Sequence, residues 1–276
     1  MTTQSFRIAV AQTTATADVR RNGDTVRRLM RDAAAQNARL LQFPEGFLSG
    51  YAKEQVDDWD DVDWPAVRDE LRQITALAGE LGIWVVLGSA HPLTPPHRPH
   101  NSLYVISDGG KIVDRYDKRF CSHTEITRFY SPGFEPVVFE VDGFRFGAAI
   151  CVEINFPDLF AEYRALGVDC LLFSAYPVDE VFEVKARAHA SINTYWVAMS
   201  LPSQTAHLMN SGVIGPDGRY LVRLDGREGL VYADLNRLDY DVWFERARPW
   251  RDAALEGEIY RSQKVDDPRS ADRTCD

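Results

Sequence analysis

Metal-ligand spacing, paired cysteines and a long apolar run are all missing from this sequence of 276 residues. Its four cysteines, Cys121, Cys151, Cys170 and Cys275, form no C-x-x-C or finger pattern. A zinc finger or a disulfide-stapled scaffold is thereby excluded as the organising principle. The histidines (His91, His97, His100, His123, His189 and His207) include no H-x-x-x-H pair, so a metal site has little support. No apolar stretch approaches the length needed to span a bilayer, and no membrane role is expected. With no disulfide framework and no signal peptide, a reducing cytoplasm is the expected home. Positive charge is also short, 31 Lys and Arg against 41 Asp and Glu, for a net charge of −10 and a pI near 5.1. That balance argues against sequence-independent binding to nucleic acid. An anionic small molecule stays possible, because a site can be locally basic.

What is present is ordinary globular material, 45% hydrophobic and 26% charged, long enough to bury a large core. The most telling stretch is Phe144-Arg-Phe-Gly-Ala-Ala-Ile-Cys-Val-Glu-Ile-Asn-Phe-Pro-Asp158. Residues 144–150 read as a buried strand, and from Phe156 the apolar positions take helical spacing through Leu159, Phe160, Tyr163 and Leu166. Pro157 suits a first helical turn, with Asn155 as the expected N-cap. Gly167 ends the helix and residues 168–173 give a second strand, a βαβ pattern whose strands should be parallel neighbours. Cys151 falls at the carboxyl end of the first strand, the edge where open α/β sheets bind ligands. Helix N-terminal amides there would favour its thiolate. A lone cysteine is more often a small buried hydrophobe, so the assignment needs support from elsewhere in the chain.

That support comes in order along the sequence. Residues 6–12 alternate as a strand, 18–38 read as an amphipathic helix, and 40–43 form a strand running into Pro44-Glu45-Gly46 and Ser49-Gly50-Tyr51. A carboxylate thus follows a strand end directly. The acidic loop 57–63, a helix over 64–81, a strand over 83–89 and a hairpin of 102–106 with 111–116 lead to Tyr116-Asp-Lys118. The loop 120–133 carries Glu125 and closes with Ser131-Pro132-Gly133. A helix over 181–194, strands at 196–200 and 229–235, and a late hairpin around Asn210 to Leu224 complete the pattern. Nothing marks a linker between two domains. The expected organisation is one domain over 1–263, with an extension from about 236 and a polar, disordered tail at 264–276.

Glu45, Lys118 and Cys151, each opening a loop after a strand, resemble the catalytic Glu–Lys–Cys set of the carbon–nitrogen hydrolase (nitrilase) superfamily. The match also includes Phe43-Pro-Glu45, Ser131-Pro-Gly133, Cys151-Val-Glu-Ile-Asn-Phe-Pro157, Arg187-Ala-Xaa-Ala-Xaa-Xaa-Asn193 and Gly215-Pro-Asp-Gly218. The resemblance implies an α/β fold, a four-layer α-β-β-α sandwich of two mixed sheets with helices outside, and no cofactor. It aligns Glu125 with a second active-site glutamate. It departs at Val152, where an aromatic or polar residue is common, at Asp158, and at Asn210-Ser-Gly.

The implied chemistry is hydrolysis of a carboxamide through a Cys151 thioester, which splits one hard step into two easier ones. Glu45 would be the general base, and Lys118 with the Val152 N–H would stabilise the oxyanion. Tyr51, Val152 and Tyr176 are the substrate-pocket candidates. The positions where carbamoyl-amino-acid members and omega-amidase-like members carry arginine are Ile154 and Asn155 here, which favours a neutral or weakly polar amide. A nitrilase or N-carbamoyl-amide hydrolase using the same residues is the alternative. An acyltransferase or a non-catalytic binding module on the same fold are readings of another class. The resemblance also implies a homodimer or larger homo-oligomer. The aromatic and arginine-rich stretch from Val242 to Trp250, with Ile259 and Tyr260, is the expected interface.

Overall fold

In a computed structural model, residues 5–257 and 266–271 are described. Twelve strands are formed: β1 (Ser5–Thr13), β2 (Leu40–Gln42), β3 (Trp84–His91), β4 (His100–Ser107), β5 (Lys111–Asp117), β6 (Val138–Val141), β7 (Phe144–Ile150), β8 (Cys170–Ser174), β9 (Trp196–Pro202), β10 (Gly212–Ile214), β11 (Tyr220–Arg223) and β12 (Gly229–Asn236). The helices between them are α1 (Val19–Ala35), α2 (Trp64–Leu81), α3 (Pro157–Ala165) and α4 (Val181–Asn193). The chain divides into a unit of residues 1–236 and a second unit of 237–276.

Local chemistry accounts for the helix ends. The Asp18 carboxylate accepts from the Arg20 and Arg21 amides at the start of α1, a cap worth about 1 kcal/mol. Asp63 does the same for Ala66 in α2, where Pro65 sits in the first turn. Gly82 then ends α2 in the left-handed conformation. The apolar faces of α1 (Val26, Leu29, Met30) and α2 (Ile74, Leu77, Ala78) are buried in one core cluster with Ala9, Leu41, Val85 and Tyr104 of the sheet.

The strands run β5-β4-β3-β2-β1-β9-β8-β7-β6, with β12 added to β1 and β10 and β11 added beyond β9. The path curls at β1. Ile8 to Val10 pair in parallel with β2, and then Gln12 and Thr13 pair with Leu201 and Pro202 of β9. The two halves of this curled sheet meet through side chains. Phe6 of β1 lies 5.4 Å from Phe144 and 5.0 Å from Phe146 of β7, centroid to centroid. Deeper in, the Gln42 amide donates to Ser174 Oγ (3.1 Å), and that hydroxyl donates to the Phe43 carbonyl (2.8 Å).

The βαβ expectation holds, since β7 and β8 pair in parallel from Phe146–Cys170 to Ile150–Ser174. Pro157 stands in the first helical turn as expected, but Asn155 is not the cap. A tight 3-10 turn, Cys151–Asn155, intervenes, so α3 begins at Pro157 with Phe156 at the cap position. The Asn155 amide turns back to the Val152 carbonyl (3.0 Å) instead of capping α3. Strand β6 had no expectation; it is four residues long and, among the described residues, pairs with β7 alone. Within the loop 120–133, Glu125–Phe129 forms a wide helical turn.

The second unit contains short helical turns at Arg237–Tyr240 and Val242–Ala247, then α5 (Arg248–Glu256) and one further turn, α6 (Pro268–Ala271). Ile259 and Tyr260, named above as interface candidates, lie outside the described residues, as does most of the 264–276 tail.

Candidate active site

Three candidate side chains leave the carboxyl ends of strands, and the fold brings a fourth, from a loop, to meet them. Glu45 follows β2, Lys118 follows β5, Cys151 follows β7, and Glu125 sits in the turn after Lys118. All four are buried: Lys118 is 0% exposed, Glu45 and Glu125 1% each, and Cys151 5%. Lys118 Nζ donates to Glu45 Oε1 at 3.0 Å and to Glu125 Oε1 at 2.7 Å, so one ammonium is clasped by two carboxylates.

The backbone around these groups is tied tightly. Glu45 Oε1 also accepts from Asn101 Nδ2 (2.8 Å), and Glu45 Oε2 accepts from the Tyr176 amide (2.8 Å). The carbonyl of the same Tyr176 accepts from the Cys151 thiol at 3.6 Å. Residue 176 therefore holds the carboxylate through its N–H and the thiol through its C=O. The Lys118 amide donates to Asn101 O (2.8 Å), and its carbonyl accepts from Gly133 N (2.8 Å). A Cβ on Gly133 would stand 2.3 Å from the Asp117 carbonyl, which explains glycine at the end of Ser131-Pro132-Gly133. Gly88 is required for the same reason, since a Cβ there would lie 2.0 Å from the Pro44 carbonyl in the turn that carries Glu45.

Cys151 adopts φ of +52°, uncommon for a residue with a side chain. Such strain persists only where surrounding structure enforces it. Glu153, fully buried, is part of that enforcement. Its carboxylate accepts from the amides of Ile150 (2.7 Å), Arg119 (2.6 Å) and Phe120 (3.1 Å) and from the Tyr116 hydroxyl (2.8 and 2.9 Å). One side chain thus ties the residue before Cys151 to the two residues after Lys118. From below, His189 stacks on Phe160 (3.7 Å between centroids) and contacts the Ile154 carbonyl through Nε2 (3.0 Å). Burial lowers the His189 pKa, against the contact with the Ile154 carbonyl that raises it.

The charges are strongly coupled. Burial opposes the Lys118 charge, but Glu45, the Cys151 sulfur and Glu125 outweigh it and hold its pKa well above normal. Burial pushes the Glu125 carboxyl up, yet the charge and hydrogen bond of Lys118 bring it net below the usual range. Burial, reinforced by the Glu45 charge, pushes the Cys151 thiol well above its ordinary value. This direction runs opposite to the effect expected of helix amides, because burial and the Glu45 carboxylate both oppose a charge on the sulfur. Burial also pushes the Glu153 carboxyl up, against the amides that bind it and the charge of Lys118.

A cavity of about 330 Å³ opens onto Cys151, lined also by Tyr51, Lys53, Ser122, Glu125 and Val152. Tyr51 and Val152 are thus at the cavity as expected. The Tyr176 ring stands behind, stacked on Tyr51 at 4.4 Å with an interplanar angle of 6°, and its part in the site is through its backbone. Of the other described cysteines, Cys170 is fully buried in β8, and burial pushes the Cys121 thiol to about 12. Among the described residues no group of three or more His, Cys, Asp or Glu side chains could hold a metal ion, and no helix is long and apolar enough to cross a membrane.

Asn101 and Glu153 were not singled out from sequence. Asn101 lies in an otherwise regular strand, with nothing local to distinguish it. Glu153 could have been noticed as a carboxylate two residues past the cysteine inside an apolar turn.

Comparison with known proteins gives a consistent picture. The Carbon-nitrogen hydrolase family model matches residues 7–243. An omega-amidase of Bos taurus is 24% identical, the match covering 84% of this chain and 89% of the relative. A 2-oxoglutaramate amidase of Bacillus subtilis is 27% identical, covering 73% of this chain and 80% of the relative. Among solved structures, an amidase from Nesterenkonia sp. superposes with a TM-score of 0.77 at 25% identity, covering 90% of this chain and 99% of that one.

Proposed function

Because the chain belongs to the carbon–nitrogen hydrolase family, we propose that its amide hydrolysis through a cysteine nucleophile is carried by Cys151, Glu45, Lys118 and Glu125. The observation behind this reading is Lys118 clasped between two buried carboxylates beside a thiol that opens onto the cavity.

Glu45 takes the thiol proton as the sulfur attacks the carbonyl carbon, so the buried thiolate need never exist free. Placed proton transfer of this kind is worth roughly 10²–10⁴-fold. Lys118 and the Val152 N–H, first in the turn after Cys151, receive the developing oxyanion. Glu45 then hands its proton to the leaving ammonia or amine, which departs and leaves a thioester on Cys151. A water deprotonated by Glu45 cleaves that thioester, and the carboxylic acid leaves with the thiol restored. Glu125 keeps Lys118 charged and in place throughout. Tyr51 and Val152 shape the pocket around the acyl group, and Tyr176 backs Tyr51.

The same reading takes residues 1–263 as one domain with an extension from about 236, and the two halves of the curled sheet as the two inner, mixed sheets of a four-layer α-β-β-α sandwich with helices outside. Inter-sheet contacts such as Phe6 with Phe146 support the layering. No cofactor or metal enters the reaction as written. We place the protein in a reducing cytoplasm, consistent with free Cys121, Cys151 and Cys170. A homodimer completes the proposal. Its interface is the expected stretch Val242–Trp250, whose ends Val242 and Trp250 are 53% and 50% exposed. Cys151→Ala tests the enzymatic core: it should bind amides without releasing ammonia, while Cys121→Ser keeps activity. Wild-type turnover by Cys151→Ala would refute the proposal.

A further inference from the structure

Two cations at the cavity mouth are not used by the reaction above. Lys53 reaches it from the loop after β2 and Lys185 from α4, and both line the cavity with Cys151 and Val152. Lys185 is half-buried, its Nζ 2.8 Å from Asn155 Oδ1 and 5.5 Å from the Phe182 ring centroid. Lys53 Nζ lies 3.4 Å from Ser122 Oγ and 5.9 Å from the Tyr51 ring centroid. Each ammonium therefore rests on an uncharged oxygen, a contact it can exchange for an anion.

The Lys53 backbone adds an independent observation. Its φ is +80°, a left-handed conformation that costs a side-chain-bearing residue about 1–3 kcal/mol. Glycine would relieve that cost, yet a lysine stands there with its head at the cavity. The carboxylates nearby are engaged elsewhere: Glu125 with Lys118 and the Ser122 amide, Asp179 with the Val181 amide at 3.0 Å. Lys53 and Lys185 thus face the mouth with ammonium groups held by uncharged oxygens, while the two carboxylates of its lining, Glu125 and Asp179, already accept from other donors.

We propose that the substrate amide carries a carboxylate remote from its C–N bond, received by Lys185 with Lys53 across the mouth. The inference rests on the amide-hydrolase reading and narrows it. Sequence alone favoured a neutral amide, because Ile154 and Asn155 occupy the places of an expected arginine. The fold answers that absence by laying Lys185 of α4 against Asn155, so the cation arrives from a different element. Lys118 attends to the reacting carbonyl, and these two lysines attend to the far end of the substrate.

The test is kcat/KM on matched amides at low salt, glutaramate against pentanamide and succinamate against butanamide. Wild type should favour the carboxylate member of a pair about tenfold or more, equivalent to roughly 1.4 kcal/mol. That preference should shrink as salt screens the charges. Lys185→Gln should cut it about tenfold, chiefly through KM, Lys53→Gln should cut it less, and Lys185→Glu should turn it toward the neutral amide. Circular dichroism confirms that each variant is folded. Wild type hydrolysing both members equally, or Lys185→Glu leaving the ratio unmoved, overturns this inference alone. Failure to hydrolyse any member overturns the amide-hydrolase reading, and this inference with it.

Discussion

Glu153→Gln should damage catalysis without touching any group that meets the substrate. The carboxylate serves four donors, through Oε1 to Arg119 N, Phe120 N and the Tyr116 hydroxyl, and through Oε2 to Ile150 N and the same hydroxyl. Glutamine keeps the shape and one acceptor. With its oxygen on the Arg119 and Phe120 side, its NH₂ meets the Ile150 N–H, donor against donor, while the Tyr116 hydroxyl can rotate to accept. One buried amide is then left unsatisfied, at about 1–3 kcal/mol. The surviving contacts also lose charge assistance, which roughly halves their strength. Together the loss is about 2–4 kcal/mol of stability, read by urea unfolding. Ile150 precedes Cys151, so the elbow at φ +52° loses its nearest anchor. A displacement of about 1 Å at a nucleophile costs on the order of 10²-fold. That loss should fall on kcat, with KM and the pH profile little changed, because no titrating partner of the sulfur is removed. Tyr116→Phe alone should cost less, since three backbone donors remain, and its cost should diminish in the Glu153→Gln background. A Glu153→Gln protein with wild-type stability and wild-type kcat would refute the positioning role.

Other outcomes follow from the same geometry. Lys118→Ala should lose about 2.7–4 kcal/mol of transition-state stabilisation, seen as a fall in kcat/KM with the circular dichroism spectrum retained; an unchanged kcat/KM would remove the lysine from the site. His91, between the Tyr104 hydroxyl and the Arg115 guanidinium, is held down to about 4 by burial first and the Arg115 charge second. Its folded value lies below the unfolded one, so the stability it contributes is lost as pH falls from about 6.5 to about 4. Denaturation at several pH values should show the gap between wild type and His91→Gln narrowing through that window; a constant gap would contradict the assignment. Truncation before Val242 should weaken the dimer, measured by light scattering, and a full-length protein that is a stable monomer at micromolar concentration would defeat the proposed assembly.

Much of the site was legible because strand ends are easy to read. Glu45 and Cys151 follow the buried strands β2 and β7, and strands running the same way place such ends on one edge, whereas β5 ahead of Lys118 is charged and mostly exposed. The bounds of α2 were also plain, with Asp63, Pro65 and Gly82 acting through local chemistry alone. The start of α3 was less so, because the 3-10 turn at Cys151–Asn155 is enforced by Glu153 and its partners on a distant loop. The direction in which the thiol's pKa moves was hidden for a similar reason: it depends on burial and on Glu45, separated by more than a hundred residues from Cys151. Lys185 was invisible as a cavity residue, since its neighbour Asn155 lies on another element.

The central claim is that Cys151 bonds covalently to the acyl group of an amide. Intact-mass measurement of acid-quenched enzyme during turnover, followed by peptide mapping, tests it directly. The account predicts a mass increase equal to the acyl group, carried by the peptide containing Cys151 and absent from Cys151→Ala. An adduct on another residue, or turnover by Cys151→Ala at the wild-type rate, would contradict it.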